Sequence, residues 1–232
     1  MKSEERIIGE EFVKYVDDIN GKFKTLPSCD ISDIFIIWSG GCDSTALILY
    51  LWEKYHRKIN LISIVYDRLG SFISDTKSKK KLLKEFEKHG ILIEYNEIKI
   101  EDNTNYEDYQ NSGGISQPQM FLTLIGQLLR GNNRLICFGY MKNDDFWHFS
   151  SYFESIFNLL NKMSNSNATL YIPFEWVNKE KILWYLNEHK ILKYCSHCDG
   201  YSEKDCGCCA TCITYKNSLR ECKRKKWDFY SL

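Results

Sequence analysis

Apolar residues along this chain fall into two patterns that alternate. Short, unbroken apolar runs rich in β-branched and aromatic residues cover 34–38, 59–66, 91–98, 134–139 and 170–174. Runs of this length bounded by polar turns predict strands buried on both faces. Between them apolar positions recur every three or four residues, predicting helices over 46–52, 77–89, 119–129 and 146–163. One more helix opens at Asn178-Lys179-Glu180, with Asn178 as its N-cap. Ahead of the first strand, Ile7, Ile8, Phe12, Tyr15, Val16 and Ile19 keep helical spacing, and Asn20-Gly21 reads as a stop. Strand-helix alternation predicts an α/β protein: a Rossmann-like, parallel, five-stranded sheet wrapped by helices. The expected boundaries are a helical extension over 1–30, a sheet domain over 31–190 and a tail over 191–232 packed on that domain. The extension reads as an amphipathic helix on the domain's edge, with a partner-binding arm as the alternative. The polar stretch 101–114 reads as a loop, and Pro118 as the opening of the helix that follows.

The first strand runs directly into Ser39-Gly40-Gly41-Cys42-Asp43-Ser44-Thr45 and then into a helix. Paired glycines let the backbone turn tightly and approach a ligand closely. The first amides of the helix have no internal acceptor, and its dipole favours negative charge, so the turn is built to hold an anion. It lacks the Gly-Lys-Ser/Thr ending of a Walker A loop and the third glycine of the dinucleotide fingerprint. The plainer reading is a tight turn with a capping serine. In a doubly wound sheet, ligands lie beyond the C-terminal ends of the strands. Tyr66, with Asp67 after it, and Gly139, followed by Asp144 and Asp145, are therefore further candidates. The two aspartates could hold Mg²⁺ or a substrate amine, or cap a helix instead. Lys179, in a first helical turn, opposes the helix dipole. A phosphate partner would account for it, as would simple exposure. Lys79-Lys80-Lys81 reads as the solvated face of a basic helix, with nucleic-acid contact the weaker alternative.

Lysine plus arginine and aspartate plus glutamate are both 31, so net charge is zero, which argues against broad electrostatic binding of nucleic acid. The sequence shows no signal-peptide pattern and no apolar run long enough to span a bilayer, so a cytoplasmic protein that does not engage membranes is expected. In that compartment ten cysteines point to metal or catalysis before disulfides. Seven of them lie between 195 and 222. Cys198, Cys206, Cys209 and Cys212 keep spacings that let turns present sulfurs to one tetrahedral Zn²⁺. Such a site could supply on the order of 10 kcal/mol to folding of the tail. Cys195-x-x-Cys198 offers a rival pair, so either could be the first ligand; His197 could also ligate. An iron–sulfur cluster is the competing reading, with radical or thiolation chemistry.

The glycine turn Ser-Gly-Gly-x-Asp-Ser resembles the PP-loop of the ATP pyrophosphatase superfamily. Together with the late lysine after Pro173 and the Cys-x7-Cys-Gly-x-Cys-x-x-Cys tail, it resembles the 7-cyano-7-deazaguanine synthase family over roughly 34–222. That resemblance implies an adenine nucleotide alpha hydrolase-like fold that binds ATP, with Mg²⁺ on its phosphates and Zn²⁺ in the tail. It assigns Ser39, Gly40, Gly41, Asp43, Ser44 and Thr45 to the phosphate loop, and Lys179, six after Pro173, to the family's late lysine. Gly139 and Asp144 match its Gly-x-x-x-x-Asp stretch, and Cys198, Cys206, Cys209 and Cys212 its zinc ligands. The reaction implied is adenylation of 7-carboxy-7-deazaguanine or a related 7-deazaguanine acid, followed by transfer to an amine donor, ammonia or a protein acceptor. Asp43, Ser44 and Lys179 would be its catalytic residues. A homodimer or a complex with a partner protein both fit such a chain.

The sequence also departs from the family. Where a Tyr-Pro-Asp-Cys-Arg substrate segment should follow Asp144, it reads Phe146-Trp147-His148-Phe149-Ser150-Ser151-Tyr152. Gln117-Pro118 stands where the family has Arg-Asn, and Tyr66-Asp67 where it has tyrosine-glycine. The nucleotide half and the zinc tail match, whereas the deazaguanine contacts do not. This pattern resembles divergent paralogues in bacterial antiphage defence that act on other acceptors, including proteins. Two other readings stay open: a PP-loop RNA-thiolating enzyme, and a non-catalytic nucleotide-binding subunit.

Overall fold

The computed structural model describes residues 3–22, 31–66, 72–100, 121–122, 125–126, 129, 133–142, 148–198 and 205–225. Five strands, β1 (Asp33–Ile37), β2 (Ile59–Tyr66), β3 (Ile93–Ile100), β4 (Arg134–Cys137) and β5 (Thr169–Tyr171), form one sheet in the order β3-β2-β1-β4-β5. Every pairing is parallel, with Ile36 opposite Leu61 on one side and Cys137 on the other. The described helices are α1 (Ser3–Asn20), α2 (Cys42–Tyr55), α3 (Phe72–Lys88), α4 (Ser150–Met163), α5 (Lys179–Glu188) and α6 (Ala210–Arg224).

Period-two alternation along the strands divides the core between the faces of the sheet. Ile34, Ile36, Leu61, Leu135 and Cys137 pack with α1, α2 and α5. Ile37, Ile62, Ile64, Ile136 and Phe138 pack with Phe121, Ile125, Phe153 and Phe157. This is the α/β, Rossmann-like arrangement that the alternation predicts. Order reverses at β1, whose neighbours β2 and β4 run outward in opposite directions along the chain. The crevice beyond the C-terminal ends of β1 and β4 is thus the topological switch point, where such sheets hold ligands.

Several boundaries differ from the pattern for identifiable reasons. Helix α2 begins at Cys42, four residues before its apolar stripe, because its first turn is the polar end of the loop. Strand β3 starts two residues late because the Ile91 amide is used to close α3, bonding the Phe86 carbonyl at 3.0 Å after left-handed Gly90. The helix expected over 146–163 is described from Ser150, after a single helical turn at 148–149. The stretch 101–114 and Pro118 lie outside the described residues.

Helix α1 is more than an edge decoration. Phe12 and Val16 are fully buried, and Phe12 stacks on Tyr185 at 3.8 Å between ring centroids. At its end, Asn20 Nδ2 donates to the carbonyls of Val16 and, at 2.8 Å, of Pro173. The tail is joined to the same body: the Cys222 thiol of α6 meets the Glu180 carbonyl in α5 at 3.5 Å. No helix among the described residues is long and apolar enough to cross a membrane.

Candidate active site

The glycine turn sits at the switch point, between the end of β1 and the start of α2. Gly40 adopts φ +89°, a left-handed conformation open to glycine, and Gly41 is the N-cap of α2. The turn is tied internally by serine hydroxyls: Gly41 N donates to Ser39 Oγ at 3.2 Å, and the Ser39 and Ser44 hydroxyls are 3.0 Å apart. The amides of Cys42, Asp43 and Ser44, in the first turn of α2, have no acceptor within the helix. They leave open the helix N-terminus that the sequence singles out as a candidate anion site.

Thr45 departs from that reading. Its amide is already helical, bonded to the Gly41 carbonyl at 3.0 Å, and its hydroxyl accepts from the Trp38 indole at 3.2 Å. Fully buried, Thr45 fixes strand β1 to helix α2 and does not face a phosphate. Gly139, expected to line the nucleotide, has a firmer role in packing. A Cβ there would lie 2.9 Å from the Asp43 carbonyl carbon and the Ser44 nitrogen. Only glycine lets the segment after β4 lie this close under the loop.

Lys179 reaches the loop from the first turn of α5. Its Nζ is 2.6 Å from both carboxylate oxygens of Asp43, a residue 136 positions away, and both side chains are roughly three-quarters buried. The cation that opposed the helix dipole is therefore at the glycine turn, with a carboxylate beside it.

A further lysine is there that the charge pattern hid. Lys79, expected on a solvated face, is 5% exposed. Its stem crosses Gly40, so that a Cβ on that glycine would meet Lys79 Cγ at 3.0 Å. Spacing held the signal: Lys79 falls in register with Leu82, Leu83 and Phe86, on the buried stripe of α3. Desolvation lowers its pKa, against the opposing influence of Asp75 and Glu97.

The tail reaches the loop as well. Ser196 N donates to the Gly40 carbonyl at 2.9 Å, and Ser196 pairs with Gly41 as a parallel bridge. Cys195 lies beside Cys42, both buried, and burial followed by the Cys42 thiol pushes the Cys195 thiol well up. Cys195 is therefore not with the tail's other sulfurs. Cys198, Cys206, Cys209 and Cys212 place their sulfurs within 4.8 Å of one another. Amides point at these sulfurs in sequence: Cys206 N to Cys198, Cys209 N to Cys206 and Cys212 N to Cys209, at 3.2 to 3.4 Å. Backbone bonds from Cys208 and Cys209 lead the influences that lower the Cys206 thiol to about 6. His197 stands apart, stacked on Tyr215 at 3.8 Å and paired with Asp205 at 3.0 Å. A tetrahedral ion with M–S of about 2.3 Å needs S···S edges of about 3.8 Å, which this group can meet with small adjustments.

Of the other expected residues, Tyr66 ends β2, at the C-terminal edge of the sheet. Its side chain, Asp67, Asp144 and Asp145 lie outside the described residues.

No protein-family model matches the chain. No curated protein matches it either. Among solved structures, the U34-tRNA thiolase NcsA from Methanococcus maripaludis, with its 4Fe-4S cluster, matches with a TM-score of 0.47 and 14% identity, over 90% of this chain and 89% of that one. A likeness at that level carries no argument about the chemistry of this chain. The fold class rests on the sheet order, and the site on the contacts described above.

Proposed function

We propose that the chain is an ATP-dependent enzyme that adenylates a carboxylate and hands it to an amine. The observation that carries this reading is the meeting of Lys179 and Asp43 at an open helix N-terminus, on a glycine turn at the switch point of the sheet. The loop amides would cradle the polyphosphate, and Mg²⁺ would arrive with the nucleotide. A carboxylate oxygen attacks the α-phosphorus, its O–P bond forms, and the bond to the β-phosphate oxygen breaks to release pyrophosphate. Charge gathers on that leaving oxygen, where Lys179 and the first-turn amides act. The amine then attacks the acyl carbon, and AMP leaves with the bonding pair. Adenylation needs little proton transfer, so positioning dominates. Asp43, held on both oxygens by Lys179, is a positioning residue for that lysine.

The sequence resemblance makes a 7-deazaguanine acid the first carboxylate to test, with ammonia or a protein amine as acceptor. The four-cysteine group supports a structural Zn²⁺ held by Cys198, Cys206, Cys209 and Cys212, since one shared ion draws four thiolates together. A cubane cluster places a separate iron behind each sulfur and spreads them wider. The rival sulfur-transfer reading needs a thiolate at the loop. Cys195 and Cys42 are there, but buried, and Cys195 is held protonated by its surroundings.

The test is to incubate the protein with ATP and 7-carboxy-7-deazaguanine, with and without ammonia. Pyrophosphate release is followed, and mass spectrometry looks for adenylate, amide, nitrile or protein adduct. Pyrophosphate release that disappears in Ser44→Ala, with the fold intact, is expected. Unchanged ATP turnover in that variant would refute the assignment.

A further inference from the structure

A lysine nine-tenths buried at an anion site needs an explanation that packing alone does not give. The stem of Lys79 lies over Gly40, with Cε 3.5 Å from where a Cβ on that glycine would stand. The ammonium, one bond further, lies at the rim of the glycine turn. Asp75 and Glu97 act on its charge, and burial outweighs them. A buried cation without a matched counter-charge is costly, and such groups ordinarily pair or lose their proton. The other lysine at the loop differs, because Asp43 neutralises Lys179 through two 2.6 Å contacts. A nucleotide's polyphosphate seated here would meet Lys179, already paired with Asp43, and Lys79, desolvated over Gly40. Three elements would then close on it: α2 through its amides, α5 through Lys179 and α3 through Lys79.

We propose that Lys79 is a phosphate-binding residue, whose ammonium contacts the β- and γ-phosphates of the nucleotide held against residues 39–45. The inference rests on reading that turn as the nucleotide site. Its geometry is independent of Lys179, since the two lysines arrive from different helices. Lys80, its neighbour in sequence, points to the exposed side and serves as control.

Binding of ATP, inorganic pyrophosphate and AMP is measured by titration calorimetry for wild type, Lys79→Met, Lys79→Arg and Lys80→Met. Lys79→Met is expected to weaken ATP and pyrophosphate by about 10- to 100-fold, the range for losing a hydrogen bond to a charged group. AMP binding should be unchanged. Lys80→Met should behave as wild type, and Lys79→Arg should recover part of the loss. Thermal melting without nucleotide should find Lys79→Met no less stable than wild type, since methionine keeps the stem and removes a desolvated charge. A Lys79→Met protein that binds ATP as tightly as wild type overturns the inference and leaves the nucleotide site standing. Equal weakening of AMP also overturns it, because the loop itself would then be disturbed. A wild-type protein that binds neither ATP nor pyrophosphate overturns both the inference and the reading on which it rests.

Discussion

Under the proposed function, the Lys179–Asp43 pair would matter for chemistry and little for stability. Their contacts are short, but both groups keep contact with water, and partly exposed pairs contribute about 0–1 kcal/mol to folding. Lys179→Met is therefore expected to leave the melting temperature nearly unchanged while lowering kcat for pyrophosphate release by about 10²–10³-fold, the range for one lost electrostatic stabiliser. Thr45 predicts the reverse. Thr45→Val leaves the buried Trp38 indole N–H without its acceptor, at a cost of about 1–3 kcal/mol. Nucleotide affinity should survive, because the threonine's polar atoms point into the protein. Melting and ATP titration on the two variants separate the roles.

Among elements, α1 is the one whose contribution the sequence understates. Its spacing predicts an amphipathic helix at the edge, yet Phe12 is enclosed by Tyr15, Tyr50, Phe174 and Tyr185. Phe12→Ala should destabilise the fold by about 3–5 kcal/mol, readable by denaturant unfolding. A near-neutral result would mean that α1 is an appended arm after all. Helix α3 teaches a related lesson. Three consecutive lysines look like a solvated face, but an amphipathic helix has one register, and Lys79 shares that of Leu82 and Phe86. Counting charge hid what counting spacing would have found.

For the whole molecule, the tail is joined to the loop by backbone. Cys198 is two residues from Ser196, whose amide holds the Gly40 carbonyl and whose backbone pairs with Gly41. Occupying the four-cysteine group should fix that segment, and emptying it should loosen the glycine turn. Stripping metal with a chelator is expected to lower the melting temperature and weaken ATP binding together, with re-addition of Zn²⁺ restoring both. Acid should do the same as the thiolates protonate, because metal binding requires them deprotonated. Metal analysis finding one zinc per chain, with no visible absorbance, is the companion result; iron with a brown chromophore would turn the tail toward an iron–sulfur role. ATP binding indifferent to chelation would show that the bridge at Ser196 is not a control point.

The sequence by itself determined the strands, the helices that alternate with them, the glycine turn and the cysteine spacing. All of these are local: a period of two or of 3.6, a pair of glycines, two residues between thiols. Only the tertiary structure decided which distant groups meet. It brought Lys179 onto Asp43, drew Lys79 over Gly40, turned Thr45 inward to Trp38, and sent Cys195 to Cys42 while leaving Cys198 with the other three sulfurs. Spacing cannot report such contacts, because they follow from the order of strands in the sheet and from burial, which are set by the packing of the entire chain.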